Sequence, residues 1–264
     1  QREMASSVAK AIEAQGALVV EAGTGTGKTF AYLVPALLSG RRVLLSTATK
    51  TLQDQLFNKD LPLVRDALGV PVQIALLKGR QNYVCHFHLE RALMDARLPS
   101  PREAEHLQKI KRFMLQTQTG DKADCEGVPE NSAAWPWVTS NKDNCLGSEC
   151  PNAGECHVNK ARKEALEAEV VVINHHLFLA DVALKEEGVA ELLPNSDLVI
   201  FDEAHQLPDI ATSLLGSNFS TGQCQEYLRD LLIEGRTSGT DAGDWDGTLR
   251  PLEILLRSEE HTSE

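Results

Sequence analysis

Five short runs of the chain are apolar on both faces: 17–21, 43–47, 72–77, 170–173 and 198–201. A strand with one wet face alternates apolar and polar residues, so these runs suit parallel strands covered on both sides. Between them the spacing turns helical. Met4, Val8 and Ile12 fall on one face of a first helix, and 30–38 reads as a second, largely apolar helix. The pattern predicts an α/β domain with helices packed over a parallel sheet. The alternation breaks after Leu77, where a helical segment over 83–97, a break at Pro99 and Pro101 and a second helical stretch over 103–118 follow. A polar region over 119–157, rich in Asn, Asp, Gly, Ser and Cys, comes next. A structureless loop of that length inside a compact domain needs something to hold it. The strand pattern resumes at Val170, so the intervening segment reads as an insertion into the sheet domain.

Composition narrows the class. The chain has 264 residues, 42% hydrophobic and 24% charged, enough apolar residues for a core and too many for a disordered chain. No run approaches the roughly 18 apolar residues of a membrane span, and the first residues lack the basic-then-apolar pattern of a signal peptide, so the reading is cytoplasmic with no membrane partner. The net charge of −12 argues against a general nucleic-acid coat, but cations concentrate locally: Lys78 to Phe113 holds eight Lys/Arg against four Asp/Glu. Both ends look cut. Gln1 enters a helical pattern without a start methionine, and residues 257–264 fit no helix or strand period and read as a non-native tail.

The run 17–21 leads into Ala22-Gly23-Thr24-Gly25-Thr26-Gly27-Lys28-Thr29 and then a helix. Strand, glycine-rich turn and helix are the context of a phosphate-binding loop. Glycines let the backbone wrap a phosphate without Cβ clashes, inward amides bind it, and the helix N-terminus adds positive potential. Gly23, Thr24, Gly25, Thr26 and Gly27 would form the cradle of an ATP site, Lys28 would reach the β- and γ-phosphates, and the Thr29 hydroxyl would coordinate Mg²⁺. Far along the chain, Asp202-Glu203-Ala204-His205 ends another strand run, where ligands gather in a parallel sheet. Asp202 is expected to hold Mg²⁺ and Glu203 to orient and deprotonate the attacking water. Alone, such a pair is an ordinary helix cap; beside a phosphate loop it is the other half of a nucleotide site.

Cys85, Cys145, Cys150 and Cys156 are spaced C-x₅₉-C-x₄-C-x₅-C, the last three in the polar region that needs an organiser. Four thiolates satisfy either a [4Fe–4S] cluster or a tetrahedral Zn²⁺. Zinc knuckles favour close C-x₂-C pairs, none of which occurs, and the wider spacing suits the larger cube. Cys125 and Cys224 read as ordinary thiols, and His157 as a weak substitute ligand. A cluster here would fasten an insertion with little core of its own.

The A-x-x-G-x-G-K-T loop with D-E-A-H resembles superfamily 2 helicases. The K-G-R-x-N-Y-x-C element around Cys85 and the cysteine spacing make residues 1 to about 215 similar to the XPD-like iron–sulfur DNA helicases, bacterial DinG/YoaA branch. The resemblance implies a RecA-like parallel sheet, P-loop motor domain 1, over 1–78 and 166–207. It implies an inserted helical iron–sulfur domain over 79–165 and the start of a helical Arch domain over 208–256. It favours [4Fe–4S] over zinc, makes Gln1 part of an adenine-reading motif, and implies 5′-to-3′ movement on single-stranded DNA in repair or replication. Replication or repair proteins are the implied protein partners. The second motor domain lies outside these residues, so this chain alone is expected to bind nucleotide weakly and hydrolyse it slowly.

Thr47, Thr49 and Lys50 follow a strand run and can bind a phosphate without reading a base; they resemble the family's DNA-backbone motif. Arg80 and Tyr83, with His86, Phe87, Arg91, Lys111 and Arg112, mix cations and aromatics as single-strand binders do. Asn174-His175-His176 resembles an element near the DNA path. The rival readings are an ATP-switched scaffold that does not catalyse and a DEAH-type RNA helicase.

Overall fold

The structure, a computed structural model, describes residues 1–264 except 24, 95–99, 143, 187–191, 217–220, 222, 223, 225, 226, 229, 230, 232–243 and 261–264, and leaves aside the side chains of 246, 253 and 256–260. Residues Gln1–Leu214 form one compact unit and Leu215–Glu264 a second.

In the first unit the elements run α1 (Arg2–Glu13), α2 (Lys28–Leu38), β1 (Val43–Thr47), α3 (Lys50–Gln55), α4 (Leu61–Leu68), β2 (Ile74–Leu76), α5 (His86–Met94), α6 (Pro101–Met114), α7 (Trp135–Val138), α8 (His157–Glu167), β3 (Val170–Asn174), α9 (His175–Glu186), β4 (Leu198–Phe201) and α10 (Leu207–Leu215). The four strands make one parallel sheet in the order β2-β3-β1-β4, with Val43 opposite both Val170 and Leu198. The doubly apolar runs are explained by the sheet's two faces. Val43, Leu45, Val170 and Val172 point into a core with Leu33 and Leu37 of α2 and Leu61 and Val64 of α4, against which Met4 and Val8 of α1 also pack. Their neighbours Leu44, Val171 and Ile173 point the other way, onto Ala161 and Ala165 of α8. Successive side chains of a strand alternate faces, so covering both faces favours apolar residues at successive positions.

One expected strand is missing. Residues 17–21 pair with nothing among the described residues, and Val19 is 97% exposed. Their composition suits a strand, but a strand exists only where a neighbour completes its ladder. β4 closes one side of the sheet, and residues 17–21 take no part in that edge.

The segment between β2 and β3, the insertion, runs between two hydrogen-bonded neighbours of the sheet. It carries more of a core than the sequence implied. Leu89 and Ala92 of α5, Leu107 and Ile110 of α6, and Trp135 and Val138 of α7 bury one another with Val84, Cys125 and Ala134. The helical stretch expected over 103–118 begins at Pro101 and ends at Met114. Proline suits a first turn because its missing N–H would be unpaired there anyway. The polar region is short 3₁₀ turns over Lys122–Asp124, Gly147–Glu149 and Ala153–Glu155. In the second unit, α11 (Trp245–Glu260) continues through Arg257–Glu260, where no helical period was expected; residues 261–264 lie outside the described residues. Among the described residues no helix is long and apolar enough to cross a membrane.

Candidate functional site

The loop over 22–29 is shaped by its glycines. Gly25 and Gly27 adopt φ of 73° and 77°, the left-handed region that residues with a Cβ avoid, and Gly27 caps α2 so that the helix begins at Lys28. Thr26 donates its hydroxyl to the Gly23 carbonyl at 2.8 Å. Gln1 lies against the loop, its amide donating to the Gly27 carbonyl at 3.4 Å, and a Cβ on Gly27 would overlap the Gln1 side chain. Thr24 lies outside the described residues.

The amide of Asp202 donates to the Ser46 carbonyl at 2.8 Å, continuing the β1–β4 ladder by one residue. Glu203 then turns at φ 57°, a left-handed conformation rare outside glycine, and its carboxylate meets the Lys28 ammonium at 3.3 Å. Such strain is retained where the surroundings hold it, and it gathers at working sites. His205 lies 3.4 Å from the other Glu203 oxygen. The structure thus brings Lys28, Asp202 and Glu203 together across 175 residues of sequence. Lys28 pairs with Glu203 here, so a γ-phosphate would compete with that carboxylate for the ammonium.

Burial raises the Asp202 carboxyl above its ordinary 3.8 and neighbouring Glu203 adds to the rise, with Lys28 and Tyr32 pulling back only in part. The native state therefore holds this proton more tightly than the unfolded chain does. Ionisation costs stability increasingly from about pH 3.8 upward, and the full cost is present above the native value. Asp202→Asn should raise the thermal midpoint of the chain at pH 7, on a scale of roughly 2–4 °C per kcal/mol relieved. A lowered midpoint in a differential scanning measurement would contradict this electrostatic account.

Tyr32 carried no clear sequence signal, and His175 was marked only by its resemblance to an element near the DNA path. Tyr32, one turn along α2 from Lys28 and Thr29, buries its hydroxyl beside Asp202 without a well-formed hydrogen bond, and burial pushes that phenol far up. His175 is fully buried; its Nδ1 lies 2.7 Å from Ser46 Oγ, and burial pushes its pKa down. His176 is exposed.

Among the expected nucleic-acid contacts, Thr47 is buried with its hydroxyl unpartnered, and Thr49 caps α3 by accepting from the Leu52 amide at 3.2 Å. Lys50 pairs with Glu130 of the insertion at 3.0 Å. Tyr83 is not placed as a stacking platform. It is 4% exposed and its hydroxyl accepts from the Lys78 amide, a core position that an aromatic residue beside cations does not reveal in sequence.

The four cysteines line one cavity of about 90 Å³, together with Arg80, Arg162, His86 and His157. Cys85 is fixed from the helical core, its amide donating to the Val138 carbonyl at 2.8 Å, while Val84 bonds Gly120 in the same way. Gly120 sits at φ +66° with the His157 ring where a Cβ would stand, so only glycine admits that ring. All six cysteines are free thiols; burial raises Cys85, with Cys150 and Cys156 adding to the rise. The buried His157 Nε2 and Asn152 Oδ1 at this cavity have no partner. Among the described residues, no three His, Cys, Asp or Glu side chains approach as the ligands of one metal ion. One water needs about 10–15 Å³ of such space, so the cavity has room for a group of several atoms. Two guanidiniums beside four thiols suit an anionic one.

The sheet is parallel, an Asp-Glu-Ala-His turn follows the end of β4, and residues 2–89 match the DEAD/DEAH box helicase family. The chain is 48% identical over 241 residues to the ATP-dependent DNA helicase YoaA of Haemophilus influenzae and 51% identical over 242 residues to that of Escherichia coli, in each case over 91% of this chain and 38% of the relative. It is 38% identical over 244 residues to the ATP-dependent helicase DinG of Mycobacterium tuberculosis, over 84% of this chain and 36% of that relative. The chain is similar to the YoaA and DinG helicases over most of its own length and spans well under half the length of these relatives.

Proposed function

We propose that this chain is the N-terminal, nucleotide-binding part of an ATP-dependent DNA helicase that couples hydrolysis to translocation along single-stranded DNA. The observation that carries the reading is the meeting of Lys28 with Glu203, beside Asp202, at the mouth of a glycine-built phosphate loop. Lys28 draws the β- and γ-phosphates into line, and Glu203 accepts the proton of the attacking water. Thr29 and Asp202 would hold Mg²⁺, which when bound supplies charge neutralisation around the transferring phosphoryl group. The relatives' names, ATP-dependent DNA helicases, support DNA as the track.

In this reading residues 1–78 and 166–207 are RecA-like motor domain 1, 79–165 an iron–sulfur domain, and 208–256 the start of an Arch domain. Cys85, Cys145, Cys150 and Cys156 would hold a [4Fe–4S] cluster whose role is structural; a cavity of about 90 Å³, room for a group of several atoms, supports it over Zn²⁺. Thr49, Lys50 and Arg80 track DNA phosphates, movement is 5′ to 3′, and the work is DNA repair or replication. The test is ATP turnover by the full-length protein with single-stranded DNA and with RNA of the same length. Stimulation by DNA well above that by RNA is expected, and equal or greater stimulation by RNA would overturn the reading.

A further inference from the structure

A buried lysine outside the nucleotide site joins two parts of the first unit. Lys78, 3% exposed, lies two residues beyond the end of β2, and its ammonium lies 2.6 Å from Asp54 of α3 and 2.6 Å from Asp121 of the insertion. Each partner is itself anchored. Gln53, beside Asp54, is fully buried and donates to the carbonyls of Leu77 and Val172, fixing α3 on the sheet. Asp121 pairs with Tyr83 in a β-bridge and caps the turn that follows by accepting from the Ala123 amide at 3.0 Å. A second, exposed ion pair, Lys50 to Glu130, runs between the same two parts.

Stability alone is a poor reason for this arrangement. Removing a lysine and two carboxylates from water costs several kcal/mol per ion, and apolar residues of similar volume commonly do as well or better. What a buried, doubly paired ammonium supplies is geometry, because both carboxylates must keep their positions or leave a charge uncompensated. The fixed segment is the exit of β1, which also carries Ser46, bonded to the Asp202 amide on one side and His175 on the other.

We propose that Lys78 is a positioning residue that locks α3 to the cysteine-bearing insertion, so that a DNA backbone engaged at Thr49 and Lys50 and the insertion move as one body and act together on the Asp202 turn. The proposal rests on the helicase reading for its DNA arm only. Asp54→Asn cuts the tie on the α3 side while leaving Lys78 paired with Asp121, which avoids an orphaned charge in the insertion; Lys78→Met cuts both sides.

Both variants are made in the full-length protein and read in two ways. In hydrogen exchange, the amides of Ala123, Asp124 and Cys125 should exchange about tenfold faster in Asp54→Asn than in the parent. In ATP turnover, the basal rate should stay within about twofold while the ratio of DNA-stimulated to basal rate falls about tenfold in both variants. Unchanged exchange in Asp54→Asn overturns the tie. Faster exchange with a parental stimulation ratio overturns the coupling and leaves a structural ion pair. A parent protein that DNA does not stimulate refutes the helicase reading instead, and the exchange result then decides the tie by itself.

Discussion

Replacing Glu203 with Gln in the full-length protein should slow ATP turnover by about 10²–10⁴-fold, the usual contribution of a positioned general base, while nucleotide binding persists. The geometry is specific on both points. Glu203 is held in a left-handed backbone conformation at the end of β4, and its carboxylate faces Lys28 at 3.3 Å, so the base and the phosphate-gripping cation share one small space. Gln keeps the shape and the reach of Glu but loses the negative charge and with it the ability to take a proton. It also frees Lys28 from an ion pair that competes with phosphate, so affinity for ATP should hold or rise. Single-turnover hydrolysis together with fluorescent-nucleotide binding separates the two effects. Hydrolysis at the parental rate would remove Glu203 from the chemistry, and a variant that keeps its biological role without hydrolysis would favour a switched scaffold over a translocase.

Protein purified without oxygen should be brown, with about four irons per chain, and Cys150→Ser should lose essentially all of that visible absorbance. The structure also says where the damage should stop. Because α5, α6 and α7 bury Ile110, Ala134 and Val138 completely in a core of their own, loss of the cluster should loosen residues 140–157 around the cavity and spare those helices. The phosphate loop, on the far side of β2 in sequence, should keep its protection as well. Hydrogen exchange compared between the two proteins checks the boundary: deprotection spreading through α6 would mean that the metal holds the whole insertion. A colourless parent protein containing one zinc would refute the cluster outright.

Much of this was legible in the chain because the sheet writes itself into composition. Runs such as 43–45 and 170–173 are apolar at successive positions because both faces are covered, and they fall in the strands Val43–Thr47 and Val170–Asn174, the first of which ends on buried Ser46 and Thr47. The same signature misled at 17–21, since composition reports what a segment tolerates and not whether a neighbouring strand is there to pair with it. Glycine-lysine and Asp-Glu patterns are legible for a chemical reason: few residues can do those tasks. Tyr83 shows the opposite case, because an aromatic beside cations serves equally as a base-stacking surface or as core, and only burial decides. The joining of Asp54, Lys78 and Asp121 leaves no trace in spacing. It depends on how α3 and the insertion fold back on the exit of β2. Tyr32 was recoverable in principle, since it lies one helical turn beyond Lys28 and Thr29.

Among the described residues the sheet ends at β4, four residues long, with Val199 exposed, while Leu18, Val19 and Val20 lie just before the glycine-rich loop in sequence and face water. An unsatisfied ladder and a stray β-prone ribbon in one molecule are a template for self-pairing between copies. Concentrated solutions of this chain alone should therefore tend toward aggregation, and solubility will be governed by whatever occupies that margin of the sheet.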